Sequence, residues 1–154
     1  MHVRRIRRGA AVGAAALLAG GAAAWTHAPH AGGPVVTVYK SPTCGCCRSW
    51  VEHLRTHGFR VETHDVDDVR PVRARHGVPA ALASCHTAVV GGYAVEGHVP
   101  ADLVHRLLRE RPRVAGIAVP GMPMGSPGME GARRDEYDVL TFDREGKTAV
   151  YAKR

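Results

Sequence analysis

The chain has 154 residues, enough for one domain with a proper core plus a leader. Aromatic content is only 5%, while Gly and Pro number 18 and 10, which points to a small domain with many turns. The net charge of +7 is no nucleic-acid footprint, because Arg4, Arg5, Arg7 and Arg8 crowd into the first eight residues, the remainder carries 17 basic against 14 acidic residues, and no aromatic ladder or recognition motif accompanies them.

The basic start is followed by Gly9-Ala10-Ala11-Val12-Gly13-Ala14-Ala15-Ala16-Leu17-Leu18-Ala19-Gly20-Gly21 and the small residues Ala22-Ala23-Ala24. That is the pattern of an export signal over residues 1–24. The apolar run is short and built from Ala and Gly rather than Leu, so cleavage near Ala24 is favoured over an uncleaved membrane anchor. Residues 25–34 read as a linker, with His27 and His30 as solvated side chains. Export places the domain in the periplasm or beyond, where four cysteines would by default form two structural disulfides.

Val35-Val36-Thr37-Val38-Tyr39 predicts a first strand, and Trp50, Val51 and Leu54 predict a helix over about 46–57, stopped by Gly58. Between them stands Ser41-Pro42-Thr43-Cys44-Gly45-Cys46-Cys47, three of the four cysteines within four residues. A strand-to-helix turn aims backbone N–H groups at its occupant, a field that favours thiolates. Thiolates are nucleophiles and soft-metal ligands, so the turn reads as a redox site, a metal site or both. His53 and His57 lie four apart on the helix and are expected on a solvated face.

Residues 59–66 alternate as a strand with one face buried, and Asp67 or Asp68 can cap a short helix reaching Arg75. Thr87-Ala88-Val89-Val90 and Tyr93-Ala94-Val95-Glu96, joined at Gly91-Gly92, predict a hairpin, and Pro100 opens a helix carrying Leu103, Val104, Leu107 and Leu108. The order strand, helix, strand, helix, hairpin, helix predicts an α/β fold with a thioredoxin-like core over residues 35–119, the C-x-x-C of Cys44 and Cys47 lying at its first strand-to-helix junction. Such folds often place a cis proline before the third strand. Pro79 is the candidate, but it stands eight residues before Thr87, and the insertion carries Cys85 to the head of that strand.

Residues 120–154 are expected to pack on the same domain as a Met-rich loop and a terminal hairpin. Gly116 to Glu130 reads as a Gly/Pro loop with Met122, Met124 and Met129, whose thioethers are Cu(I) ligands by chemistry. Residues 137–142 and 148–151 make the hairpin.

Together Ser41-Pro42-Thr43-Cys44-Gly45-Cys46-Cys47, Gly77-Val78-Pro79, Ser84-Cys85-His86-Thr87-Ala88, Gly92-Tyr93, Glu96-Gly97-His98-Val99-Pro100-Ala101, and Val119-Pro120-Gly121-Met122-Pro123 with Gly125-Ser126-Pro127-Gly128-Met129-Glu130 resemble the CopG-type periplasmic copper-resistance proteins. The resemblance runs over about 35–154. It implies a thioredoxin-like envelope domain that binds Cu(I), more than one ion, at Cys44, Cys46, Cys47 and Cys85, in concert with other envelope copper-handling proteins and with no nucleic-acid partner. A membrane contact is implied only if the leader stays uncleaved.

The residues support such a site independently. Four thiolates converging on one point form an anionic pocket, and the adjacent Cys46 and Cys47 suit a cluster bridging several Cu(I) ions better than one small ion. Zinc is the main metal rival, but only one C-x-x-C pair is present, and an iron–sulfur cluster would need assembly outside the cytosol. His86, His98, Met122, Met124 and Met129 are candidate additional ligands. The rival of another class is a thiol–disulfide oxidoreductase with Cys44 as nucleophile and Cys47 as resolving thiol. A hybrid alternates between a copper-loaded reduced state and a disulfide state.

Overall fold

The computed structural model describes residues 32–154; the expected export leader, most of the linker, and His27 and His30 lie outside them. The elements are β1 (Val35–Lys40), α1 (Gly45–Thr56), β2 (Arg60–Asp65), α2 (Arg70–Arg75), a 3-10 turn (Ala80–Leu82), β3 (His86–Val90), β4 (Tyr93–Glu96), α3 (Ala101–Glu110), β5 (Gly116–Ala118), β6 (Asp138–Phe142) and β7 (Thr148–Lys153). One seven-stranded sheet runs β2-β1-β3-β4-β5-β6-β7. Its first four strands, with β1 and β2 parallel and β3 antiparallel to both β1 and β4, form the thioredoxin-like core.

Helix α1 forms because Cys47, Trp50, Val51 and Leu54 share one buried face while Arg48, Glu52 and Arg55 face outward. Cys44 is its N-cap, and the Cys47 N–H donates to Cys44 Sγ at 3.3 Å. The α1 and α3 faces close on the sheet around Val36, Val38, Trp50, Leu54, Val104 and Leu107, all fully buried. At 25 cal/mol or so per Å² of apolar surface, side chains of this size contribute roughly 1.5–3 kcal/mol each. Among the described residues no helix is long and apolar enough to cross a membrane.

Four expectations are corrected. Strand β2 does not bury one face: it is the sheet edge, largely exposed, with Val61 partly buried and the charged Arg60, Glu62 and Asp65 facing solvent. Charge on an edge strand opposes pairing with a second chain. Residues 116–118 are not loop. They form β5, parallel to β4 and antiparallel to β6, which joins the terminal hairpin to the core sheet. No described peptide bond is cis, Pro79 included, and Pro79 instead precedes the 3-10 turn of the insertion. His53 is not on a solvated face: it is half-buried, and its Nε2 accepts the Ala101 N–H at 3.1 Å, satisfying a free donor at the start of α3.

Candidate metal centre

The sulfurs of Cys44, Cys46, Cys47 and Cys85 lie within 4.8 Å of one another. Three come from the first turn of α1, and the fourth from the segment between the 3-10 turn and β3. Pairing of β3 with β1 sets Lys40 opposite His86, so the cysteine turn after β1 and Cys85 before β3 meet at the same end of the sheet. The insertion carries Cys85 to this point. Lys40, almost fully buried, anchors the end of β1 through a 2.6 Å ion pair with Asp65 and a bond to the Ser41 carbonyl.

The pairing differs from two structural bridges. Cys44 and Cys47 form a disulfide with their Cα atoms 5.3 Å apart, while Cys46 and Cys85 are free thiols. Cys46 Sγ lies 3.4 Å from Cys44 Sγ. The sulfurs therefore stand as one oxidised pair and two thiols rather than as four thiolates. Nor does the helix field make every thiol acidic: burial pushes the Cys85 thiol up to about 12, with neighbouring Cys46 adding to the rise. Cys85 comes from a segment outside α1, and desolvation dominates its environment. A metal bound at Cys85 must displace its proton.

Two histidines complete the site. Cys85 Sγ is 2.9 Å from His98 Nε2 and 3.3 Å from His86 Nδ1, and the three ligand atoms form a second cluster within 4.8 Å. The Pro127 carbonyl can only accept, so at 2.8 Å it receives the proton of His98 Nδ1. In the neutral ring the lone pair then sits on Nε2, facing the sulfur. A ring nitrogen held from behind by a carbonyl is the arrangement that orients a metal-binding imidazole. His86 is fully buried, 4.3 Å from the Trp50 ring and 5.0 Å from that of His98, and its Nε2 has no hydrogen-bond partner among the described residues. The nitrogen facing the Cys85 sulfur is instead Nδ1, at 3.3 Å, and a buried imidazole beside a thiol suits a soft-metal donor set.

Burial first, and then His98, lowers the His86 pKa to about 3. The unfolded chain takes up this proton near pH 6.5, whereas the fold resists it down to about 3. Stability from the neutral imidazole is thus full above pH 6.5 and lost as pH falls towards 3. Burial lowers His98 in the same direction, while it raises Glu96, which opposes the loss. Between pH 7 and pH 5 His86 alone is expected to remove about 2 kcal/mol from the metal-free protein. Urea midpoints at the two pH values measure this, and an unchanged midpoint would contradict it.

The Met-rich loop reaches the centre through its backbone. Pro127 supplies the carbonyl to His98, and Gly128 (φ +85°) packs so closely that a Cβ there would lie 2.7 Å from the Cys46 carbonyl oxygen and 2.9 Å from the Trp50 nitrogen. Only glycine suits both that φ and that approach. Met122 is 51% exposed. The Met124 methyl lies beside Gly131 of its own segment, and Met129, partly buried, closes the loop through backbone bonds with Gly125 and Ser126. Pro127 and Gly128 thus have site contacts that sequence reasoning did not assign, although both stand in a motif that carries the family resemblance.

A glutaredoxin family model matches residues 36–80, and the model described as "Protein of unknown function, DUF411" matches residues 82–129. The first holds the cysteine turn, and the second holds Cys85, His86, His98 and the Met-rich loop. Two solved chains described as copper resistance protein CopG are similar over most of their length. Form 2 is 46% identical with a TM-score of 0.75, covering 79% of this chain and 98% of that one. Form 1 is 47% identical with a TM-score of 0.74, covering 78% of this chain and 96% of that one. A search of curated proteins finds no match.

Proposed function

The chain belongs to the CopG copper-resistance family, and from that premise we propose that it is an exported, periplasmic copper-binding protein that holds more than one Cu(I) on Cys44, Cys46, Cys47 and Cys85. One observation carries the reading: four sulfurs lie within 4.8 Å of one another, and Cys85 links them to a second group with the buried His86 and His98. Soft thiolates select Cu(I), and neighbouring sulfurs can bridge ions that a single chelate could not hold. Exchange with an external dithiol, which leaves as a disulfide, would convert the Cys44–Cys47 disulfide into two thiols whose protons Cu(I) displaces, so loading is coupled to thiol redox state. His86 and His98 are the additional donors best placed by distance. The Met-rich loop reaches these donors through Pro127 and Gly128, and Met122, Met124 and Met129 are candidate ligands by thioether chemistry alone. Copper would be exchanged with other envelope copper-handling proteins in resistance and homeostasis.

A second reading is favoured by the disulfide itself. Cys44 and Cys47 stand at the N-terminus of α1 in a thioredoxin-like core, the arrangement of a thiol–disulfide oxidoreductase. Anaerobic titration of the reduced protein with Cu(I), with metal quantified per chain, separates the two. More than one copper per chain is expected. No bound copper together with rapid reduction of insulin would select the oxidoreductase.

A further inference from the structure

Cys85 belongs to no helix or strand: the 3-10 turn ends at Leu82 and β3 begins at His86. Something else must hold its sulfur against Cys46 and His98. Directly behind it lies a buried ion pair that the copper reading does not use. Glu96 is fully buried and Arg73 is 9% exposed, with Arg73 Nε 2.9 Å from Glu96 Oε1. The same Oε1 accepts the Ser84 N–H at 2.7 Å, Oε2 accepts the Thr87 hydroxyl at 2.6 Å, and Arg73 Nη2 donates to the Ser84 carbonyl at 2.7 Å. Both backbone groups of Ser84 and the side chain of Thr87 are therefore held, and these residues bracket Cys85 and His86.

Chain connectivity reinforces the bracket. Glu96 is followed by Gly97, whose added Cβ would lie 2.6 Å from both Ser84 Cβ and the Val119 carbonyl oxygen, and then by His98, whose Nε2 meets the Cys85 sulfur. The tripeptide 96–98 thus grips the Cys85 segment from the backbone side and the sulfur side. Two buried charges are costly to desolvate, and an apolar pair of similar volume is often as stable. Stability alone is a weak reason for this pair, whereas fixed geometry beside a metal-binding sulfur is a direct one.

We propose that Glu96, acting with Arg73 through Ser84 and Thr87, is the positioning residue that sets the Cys85 sulfur for Cu(I) loading. The loading part rests on the copper reading, while the sulfur-positioning part does not. The test uses Glu96→Gln and the double variant Arg73→Met/Glu96→Leu, which leaves no unpaired buried charge if the single variant fails to fold. Alkylation of the reduced, metal-free proteins by iodoacetamide is mapped at each cysteine, and Cu(I) affinity is read by competition with bicinchoninate. Expected are a several-fold rise in the Cys85 rate relative to Cys46, a Cu(I) affinity about 10–100-fold weaker, and an unchanged Cys44–Cys47 redox midpoint. A merely structural role would lower the melting temperature without changing that ratio. An unchanged Cys85-to-Cys46 ratio in a folded variant overturns the proposal, and a raised ratio with parental Cu(I) affinity overturns its link to loading. If the parent binds no Cu(I), the copper reading falls, and the alkylation ratio alone decides the positioning role.

Discussion

Replacing Cys46 by serine is expected to weaken Cu(I) binding by the reduced protein by about 100-fold or more, beyond the roughly 10–100-fold typical of losing an outer partner. Bound copper should fall to no more than one ion per chain. Cys46 is the cysteine that simple thiol exchange has no use for: Cys44 and Cys47 already form the pair, and Cys46 Sγ sits 3.4 Å from Cys44 Sγ with Cys85 close by. A hydroxyl in its place is a hard, weakly acidic donor that does not bridge Cu(I). Disulfide exchange through Cys44 and Cys47 should survive the change, because neither the N-cap bond from the Cys47 N–H nor the buried face of α1 involves the Cys46 side chain. The measurement is copper per chain beside insulin reduction on the same sample. Full copper loading in the serine variant would remove Cys46 from the ligand set.

Replacing Trp50 by alanine should produce the largest loss of stability. Its side chain is fully buried, its Nε1–H donates to the Val99 carbonyl at 2.8 Å, and its ring packs on His86. Truncating a buried aromatic of this size costs about 3–5 kcal/mol. The Val99 carbonyl, left without that donor, adds to the penalty. Against a total of about 5–15 kcal/mol for a domain, this is a large fraction. Urea unfolding of the metal-free protein at pH 7.5 measures it, and a loss under about 1 kcal/mol would mean that the site collapses around the smaller side chain. Because the indole also roofs His86, a variant that still folds should lose copper affinity as well.

Much of this molecule was legible locally. The helical spacing of Trp50, Val51 and Leu54, the alternation through β1, and the Gly91-Gly92 turn each report on a few neighbouring residues, and the corresponding elements lie within a residue or two of expectation. Strand β5 escaped because three apolar residues beside a Gly/Pro run carry no period of their own. Its identity comes from pairing with β4 on one side and β6 on the other. The exposure of β2 escaped for a related reason: alternation marks a strand, but its place at the sheet edge depends on what lies beside it. His53 was misread because a helical wheel shows which residues share a face. It does not show that the start of α3 would arrive there needing an acceptor.

The amino-acid sequence by itself determined that three cysteines occupy a strand-to-helix turn of a thioredoxin-like core, because turn chemistry and periodicity are properties of adjacent residues. Only the tertiary structure decided that Cys85 reaches the Cys44–Cys47 pair, that burial there pushes its thiol pKa up, and that His98 turns its lone pair towards it. Those outcomes rest on strand register, on burial, and on a carbonyl 29 residues away in the chain, at Pro127. Contacts between distant segments exist only once the sheet has closed, and the electrostatics of the site follow from that closure.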